Sequence, residues 1–363
     1  MNMSANFNKI IALEESRKIN ALRKEKHFLQ QLFWECTLRC NLKCRHCGSS
    51  CEYNDSRGEM PLEDFLPVLD EIKQHTTSPI LVITTGGEPL LRHDICMCGE
   101  EIKKRGFYWG LVTNGLLLDD KKLKNLLNSG LDSISVSIDG LRESHNWMRC
   151  SERSYDHAIY AVDLLSKASS KLTWDVITCI TQHNISQLHD MLNEFMSHGV
   201  KRWKIFTVFP MGRANEDEEM FLSKDQLIVL FDFIKDIRKK QLLKISYGCE
   251  GFLGRYEYEV RDSHYFCAAG INVASILHDG SISGCLSIRY DYKQGNIYKD
   301  SFMDVWNNLF DKYTKLDWKK NGVCSDCEAW RWCEGNGMHL RDNDGTLRLC
   351  NYQKIFHNNN KII

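Results

Sequence analysis

The stretch of sequence that decides this fold is Cys40-Asn41-Leu42-Lys43-Cys44-Arg45-His46-Cys47. Its three cysteines are unevenly spaced, with three residues in the first interval and two in the second. Three thiolates can bind three corners of a 4Fe–4S cube and leave the fourth iron without a protein ligand. An iron with an open position is a catalytic site, by the reasoning that separates open from closed zinc sites. A zinc site or a redox dithiol is the alternative, although zinc sites normally show paired C-x2-C arms.

Composition and charge favour a two-domain protein that binds metal or clusters. The chain has 363 residues, enough for two domains, and 43 % are apolar, enough for a sizeable core. Its 47 lysines and arginines balance 48 aspartates and glutamates, which gives no electrostatic argument for nucleic acid or an anionic membrane. Residues 1–26 show no signal peptide, and no stretch approaches the ~18 apolar residues of a membrane span. Sixteen cysteines in such a chain favour cluster ligands over disulfides and predict a cytoplasmic location.

Apolar, β-rich runs alternate with helical patterns over much of the chain. The predicted strands are 32–36, 80–84, 108–113, 133–138, 174–180 and 203–209. The helical patterns between them cover 62–74, 95–105, 121–129, 155–166 and 185–198. Strands that alternate with helices of this length predict a parallel sheet, either a barrel or a doubly wound sheet. The cysteine triad follows the first strand, at the end where parallel α/β folds place their active sites.

Further motifs follow the second and fourth predicted strands. Gly86-Gly87-Glu88-Pro89 comes directly after the second strand. Its glycines allow backbone to approach a ligand closely, and its carboxylate can accept from an ammonium group. Ser137 and Asp139 end the fourth strand in a Ser-x-Asp-Gly sequence, which is also common at ordinary turns. Arg149, a little downstream, is either a partner for a ligand carboxylate or a solvated surface arginine.

The triad, with His46 before its last cysteine, and the motifs after it resemble the radical SAM superfamily. The resemblance implies a partial (β/α)6 TIM-like barrel. It also implies that the amino and carboxylate groups of S-adenosylmethionine chelate the open iron of a 4Fe–4S cluster bound by the triad. In the family the GGEP element, here Gly86 to Pro89, binds the amino group of S-adenosylmethionine, and the serine at Ser137 contacts it. Arg149 would then pair with its carboxylate.

The second half of the chain contains seven further cysteines, namely Cys249, Cys267, Cys285, Cys324, Cys327, Cys333 and Cys350. Two strands, 271–277 and 281–287, are predicted around the turn sequence His278-Asp279-Gly280. The cysteine spacing resembles the SPASM extension, a C-terminal domain with auxiliary iron–sulfur clusters. The resemblance implies an outer auxiliary cluster on Cys324, Cys327, Cys333 and Cys350. It implies an inner one on Cys267 and Cys285, with Cys249 as a further candidate.

One position departs from the SPASM pattern. The usual run is CX2CX5CX3C, and its last cysteine is replaced here by Gly337. The inner cluster therefore lacks one ligand, so one or two auxiliary clusters are expected. His339 is close enough in sequence to substitute, although a histidine that binds no metal is the simpler interpretation. A zinc ribbon is the alternative for 324–350.

The domain organisation follows from these motifs. We expect an N-terminal helical extension over 1–28 and the radical SAM barrel over 29–222. A bridging helix and the SPASM domain should cover 223–355, with a tail over 356–363. No side chain of the protein is predicted to be catalytic in its own right.

The resemblance implies a radical SAM oxidoreductase that abstracts hydrogen from a peptide or protein, as maturases of ribosomally made peptides do. Electrons would come from a flavodoxin- or ferredoxin-type partner. An anaerobic sulfatase maturase is an alternative, although Leu286 and Ser287 follow Cys285 where that family commonly has an acidic residue. A small-molecule enzyme of tetrapyrrole or quinone cofactor assembly is another alternative, and a zinc-binding scaffold would be no enzyme at all.

Overall fold

The computed structural model describes residues 3–56, 58–288 and 291–356. Its strands are β1 Gln31–Thr37, β2 Leu81–Gly86, β3 Tyr108–Thr113, β4 Ser133–Ser137, β5 Thr173–Ile180, β6 Arg202–Thr207, β7 Lys244–Tyr247, β8 Val273–Ile276, β9 Ser281–Ser283 and β10 Gly295–Asn296. Within the described residues these ten strands form one sheet, in the order β10-β9-β8-β1-β2-β3-β4-β5-β6-β7.

The strands from β1 to β7 are parallel and lie side by side in chain order. A doubly wound sheet reverses its strand order at a switch point, and this sheet does not. Because successive parallel crossovers share one hand, an unreversed order places the helices on one face and curls the sheet toward a barrel. In the described part of the chain β1 pairs with β2 and β8, and β7 pairs with β6, so the barrel is partial, as predicted.

Helices connect the parallel strands and continue into the C-terminal part. They are α1 Met3–Lys26, α2 Leu62–His75, α3 Ile95–Lys104, α4 Asp120–Asn128, α5 Arg142–Arg149, α6 Ser154–Ser166, α7 Leu188–Ser197, α8 Lys224–Lys240, α9 Phe302–Asn308, α10 Asp311–Thr314, α11 Trp330–Cys333 and α12 Asn351–Phe356. In the part of the chain that the structure describes, no helix has the length and apolar character needed to span a membrane.

Tryptophans on the strands form much of the interface between sheet and helices. Trp34 of β1 stacks on Phe65 of α2 with ring centroids 4.2 Å apart. Trp203 of β6 packs edge-on against Phe195 of α7 at 5.0 Å. Trp109 of β3 lies against Gly99 of α3, where a Cβ would be 2.1 Å from the indole. These contacts bury the helix-facing side of the sheet and fix the strand ends from which the site loops emerge.

The C-terminal part continues the barrel sheet. β8 pairs in parallel with β1, with Val273 opposite Gln31, and β9 returns antiparallel to β8. Gly280 has φ +79° in the turn between them, which explains the Asp-Gly signal in the sequence. The predicted hairpin is therefore present, although its strands are shorter than predicted.

The N-terminal helix α1 lies against the C-terminal part. Glu14 accepts a hydrogen bond from the Trp332 indole at 2.8 Å, and Leu13 is buried beside Phe252 and Tyr265. The helical extension expected over 1–28 is thus helical from Met3, with residues 1 and 2 outside the described part. Of the expected tail over 356–363, only residue 356 is described.

Candidate functional site

The predicted cysteine triad lies on the loop after β1. Cys40 and Cys44 are buried, Cys47 is half-buried, and the three pack with Cys51 in one small cluster. Burial raises the pKa of Cys40 to about 12 and also raises the pKa of Cys44. A hydrogen bond with Cys51 holds the pKa of Cys47 well below its usual value. A metal deprotonates the thiols that coordinate it, so three converging, poorly solvated cysteines fit an iron centre.

The loop after β6 fastens the triad loop from the opposite side. The Arg213 guanidinium donates to the carbonyl oxygens of Cys44 at 2.7 Å and Cys51 at 3.2 Å, and its backbone N–H donates to Cys47 at 3.1 Å. Gly212 has φ +57°, and a Cβ there would be 2.3 Å from the Cys47 carbonyl oxygen. Arg213 is therefore a positioning residue for the triad. This role could not be predicted from the sequence, because the two loops are distant along the chain.

The glycine pair after β2 approaches the backbone of the triad loop. The Gly87 and Glu88 N–H groups donate to the carbonyl oxygens of Thr37 and Arg39, each at 2.8 Å. A Cβ on Gly86 or on Gly87 would be 2.1 Å from those same oxygens. Only glycine allows this approach. In the described residues the glycines therefore join two loops, and their contact with a ligand stays a prediction.

Glu88 is fully buried at the ends of β2 and β3. One carboxylate oxygen accepts from the Thr113 hydroxyl at 2.8 Å and the Leu90 N–H at 3.1 Å, and the other accepts from the Asn114 N–H at 2.8 Å. Burial raises the pKa of Glu88, and these donors oppose that rise. A carboxylate has about four acceptor positions, so one stays available for an ammonium group. Pro89 begins the short 3-10 turn that supplies the Leu90 donor.

Arg149 is buried at the end of α5 and faces the triad. Its guanidinium pairs with Asp139 at 2.6 Å and donates to the Cys44 sulfur at 3.6 Å. Although burial raises the pKa of Asp139, the charge of Arg149 holds it below its usual value. The His46 ring lies 3.6 Å from the same carboxylate. Arg149 is thus no surface arginine, and its charge already has a carboxylate partner. Ser137, the other residue predicted here, is half-buried at the end of β4.

A chain of contacts runs from Asp139 to the C-terminal cysteines. The Cys179 N–H donates to Asp139 at 2.9 Å, and Cys179 lies near both Cys44 and Glu250. Glu250, just after β7, is hydrogen-bonded to the Tyr247 side chain, and burial raises its pKa to about 8. The carboxyl ends of β4 to β7 therefore lie between the two groups of cysteines.

The inner group of cysteines comes together at the ends of β7 and β9. Cys249 lies close to Cys267 and Cys285. The Cys249 sulfur, a carboxylate oxygen of Glu250 and a ring nitrogen of His339 all lie within 4.8 Å of one another. This donor set fits a metal centre, because thiolate, imidazole and carboxylate are all common ligands of iron and zinc.

The outer group of cysteines is also assembled, and consists of Cys324, Cys327, Cys333 and Cys350. Arg341 is fully buried and donates to the Cys324 sulfur at 3.2 Å. Lys319 is buried close to Cys267 of the inner group and Cys333 of the outer group, and burial lowers its pKa to about 8. The roles of both cations were missed in the sequence, because no motif links Lys319 or Arg341 to the cysteines.

Comparison with known families identifies both parts of the chain. Residues 34–195 match the model of the radical SAM superfamily. Residues 267–328 match the model of the SPASM iron–sulfur cluster-binding domain. The first match contains the triad, the glycine pair and Arg149, and the second contains four of the C-terminal cysteines, Cys267, Cys285, Cys324 and Cys327.

Curated relatives match most of the chain at low identity. The AdoMet-dependent heme synthase of Oleidesulfovibrio alaskensis is 23 % identical, over 88 % of this chain and 86 % of that protein. The PqqA peptide cyclase of Granulibacter bethesdensis is 24 % identical, over 90 % of this chain and 88 % of that protein. Relatives of similar likeness thus act on different kinds of substrate, which leaves the substrate class of this chain open.

Solved structures show the same fold. Streptococcus suis SuiB bound to S-adenosylmethionine superposes with a TM-score of 0.70 at 17 % identity, covering 93 % of this chain and 81 % of SuiB. The two domain assignments imply a 4Fe–4S cluster with S-adenosylmethionine and auxiliary iron–sulfur clusters as cofactors. The chain therefore contains a radical SAM domain over residues 34–195 and a SPASM iron–sulfur cluster-binding domain over residues 267–328.

Proposed function

We propose that this chain modifies a peptide or protein by abstracting hydrogen from it, in ribosomal peptide maturation, cross-linking or epimerisation. When bound, the cofactors supply a 5′-deoxyadenosyl radical, which removes a hydrogen atom from the substrate. The protein's own residues bind and orient the substrate and exclude water from the radical. The carboxyl ends of β4 to β7, which lie between the two groups of cysteines, are the proposed place for the substrate.

We assign the site residues as follows. The proposed ligands of the SAM-binding cluster are Cys40, Cys44 and Cys47. The proposed binding residues for S-adenosylmethionine are Gly86, Gly87, Glu88, Pro89 and Ser137. The proposed ligands of the inner auxiliary cluster are Cys249, Cys267 and Cys285. Those of the outer auxiliary cluster are Cys324, Cys327, Cys333 and Cys350. Arg149 acts through its contacts with Asp139 and Cys44, which orient the triad.

One observation carries the peptide proposal, namely the character of the side chains between the two groups of cysteines. They are Asp139, Cys179, Thr207, Tyr247 and Glu250. Peptide amides are neutral donors and acceptors, which hydroxyl and carboxyl groups bind readily. A tetrapyrrole with several carboxylates would meet the Asp139 carboxylate there, and the Glu250 carboxyl, whose pKa burial raises to about 8, offers it no positive charge. Arg149, the nearby cation, is already paired with Asp139.

A tetrapyrrole is the second candidate substrate. It is favoured by the similarity to the heme synthase of Oleidesulfovibrio alaskensis, which extends over 88 % of this chain. Binding of a propionate-bearing macrocycle would require cations in the substrate space. The two candidates therefore differ in the charge of the groups that must contact the substrate, and they can be separated by experiment.

Anaerobic co-expression with short peptides encoded beside the gene tests the proposal through the intact mass of the peptide. We expect a loss of two hydrogens, or uptake of one deuterium from heavy water if the product is an epimer. Cys40→Ala should abolish the change because it removes a proposed cluster ligand. Cys36→Ala is the matched control, since its buried thiol donates to the Thr85 carbonyl at 3.4 Å, outside the triad.

The decisive contrary result combines two measurements. Peptides would stay unchanged in mass and deuterium content, while a propionate-bearing tetrapyrrole, incubated with enzyme, S-adenosylmethionine and reductant, would change in mass. A tetrapyrrole would then replace a peptide as the proposed substrate. The electron donor and the location of the protein stay predictions: a flavodoxin- or ferredoxin-type partner and the cytoplasm.

A further inference from the structure

The inner auxiliary cluster lacks one cysteine in this chain. Cys249, Cys267 and Cys285 provide three thiolates, and Gly337 stands where the SPASM pattern has the fourth cysteine. Iron–sulfur clusters of this type take four protein ligands when every iron is coordinated. Either one iron stays open, or another residue reaches the place of the missing side chain.

A histidine ring occupies that place. A Cβ built on Gly337 would lie 2.7 Å from Cε1 and 2.9 Å from Nδ1 of His339, and 3.2 Å from the Tyr265 hydroxyl. The short 3-10 turn Met338–Leu340 folds the ring back over Gly337. Any side chain at position 337 would therefore collide with the imidazole. The position of the His339 ring thus depends on the glycine at position 337.

The same imidazole lies among potential metal ligands. A ring nitrogen of His339 lies within 4.8 Å of the Cys249 sulfur and of a Glu250 carboxylate oxygen. The residue is 6 % exposed, and its Nε2 has no hydrogen-bond partner among the described residues. A buried polar atom without a partner is unfavourable, because its lost hydration is not replaced. A bound iron would satisfy it, because neutral imidazole is a common ligand of this metal.

We propose that His339 is the fourth protein ligand of the inner auxiliary cluster, in place of the cysteine missing at position 337. The inference rests on the SPASM assignment and is independent of the substrate. A neutral imidazole in place of a thiolate makes the cluster less negative, which raises its reduction potential. The inner cluster of this chain is then closed to substrate and tuned toward accepting an electron.

Pulsed EPR on the auxiliary clusters alone tests the proposal. In the triple variant Cys40→Ala/Cys44→Ala/Cys47→Ala, without S-adenosylmethionine, the proposed ligands of the remaining clusters all lie in the SPASM part. We expect the reduced protein to show a nitrogen coupling that changes isotope pattern when histidine is labelled with 15N. His339→Cys should remove the coupling, keep the iron and lower the potential of one cluster. His278→Gln, in the hairpin turn, is the matched histidine control and should keep the coupling.

Further variants guard against a folding artefact. His339→Ala should lose the iron of one cluster, and Gly337→Cys/His339→Ala should regain it without nitrogen coupling, because the double variant restores the usual cysteine. A labelled protein without histidine coupling, or a coupling that persists in His339→Cys, would overturn the proposal. Absence of all iron from the triple variant would instead remove the SPASM cluster assignment itself, a result separate from any failure to modify a substrate.

Discussion

Buried cations lie next to cysteine sulfurs in both halves of the molecule. Arg149 donates to Cys44 at 3.6 Å, and Arg341 donates to Cys324 at 3.2 Å. Lys319 lies near one cysteine of each auxiliary group. Hydrogen bonds to sulfur and nearby charge set the potentials of iron–sulfur clusters. We therefore expect these three residues to shift the potentials of the proposed clusters without binding iron.

His145 gives a prediction at the residue scale. Its Nδ1 accepts the Asp139 N–H at 3.0 Å, so its Nε2–H donates to the Ser154 hydroxyl at 2.9 Å. Burial lowers the pKa of His145 to about 3, while the unfolded chain has the ordinary value near 6.5. Between these values the unfolded state binds the extra proton, so acid destabilises the fold. From pH 7.5 to pH 5 we expect a loss of about 2 kcal/mol from this residue.

Urea unfolding at both pH values, at equal iron content, measures this effect. His145→Gln has no proton to gain, so its unfolding free energy should fall by about 2 kcal/mol less than that of the unsubstituted protein. Identical acid dependence in the two proteins would show that His145 is already protonated in the folded state.

At the scale of elements, the sequence predicted the local features of the fold. The six βα strands are present, and the pair at Asp279-Gly280 correctly marked the hairpin between β8 and β9. β7 was missed, because Lys244–Tyr247 is a four-residue strand with little apolar character of its own. Within the site, the groups of cysteines could be predicted from the sequence, because their spacing is a local pattern along the chain. The contacts of Arg213 and Arg341 were not readable, since they join loops that only the folded chain brings together.

The junction between the β6 loop and the triad loop gives the second prediction. Gly212→Ala would place a Cβ 2.3 Å from the Cys47 carbonyl oxygen and 2.6 Å from that of Gly48, at a φ of +57°. Because backbone must move to relieve this contact, we expect loss of the iron bound by the triad and a destabilisation of about 1–3 kcal/mol. Gly48→Ala is the matched control, since a Cβ there has no neighbour within 4 Å.

Iron analysis and binding of radiolabelled S-adenosylmethionine measure the outcome for both variants. Auxiliary iron should stay in Gly212→Ala, because the nearest neighbours of the added Cβ belong to Cys47 and Gly48 and not to the C-terminal cysteines. A Gly212→Ala protein with full iron and normal binding would contradict the role assigned to the β6 loop.

At the scale of the whole molecule, the barrel and the SPASM part are joined along one edge of the barrel sheet. β8 continues the sheet beside β1, and the His278 ring lies 3.0 Å from the buried Glu35 carboxylate of β1. The His27 ring stacks on Trp306 of α9 at 4.2 Å. Such a joint fixes the position of the auxiliary cysteines relative to the triad. Electron transfer between the proposed clusters would then need no rearrangement of the two parts.

Glu71 provides the test of this joint. Its carboxylate, on barrel helix α2, accepts from the N–H groups of Phe302 at 3.0 Å and Met303 at 3.1 Å, at the start of α9. Because a negative charge at a helix N-terminus is stabilising, Glu71→Ala should lower the free energy of unfolding by about 1–2 kcal/mol. Gln74→Ala, at an exposed site on the same helix, should change it by less than about 0.5 kcal/mol.

Urea unfolding of the anaerobic protein, followed by tryptophan fluorescence and by cluster absorbance, measures both variants. If the sheet joins the two parts as one cooperative unit, Glu71→Ala moves the midpoints of both signals together. Equal midpoints for Glu71→Ala and Gln74→Ala would show that the Glu71 carboxylate contributes nothing to the joint. A shift confined to the cluster signal would mean that the SPASM part unfolds first. In that case the pairing of β1 with β8 would contribute less than the packing within each part, and the spacing of the clusters would depend on the side-chain contacts of α9 rather than on the sheet.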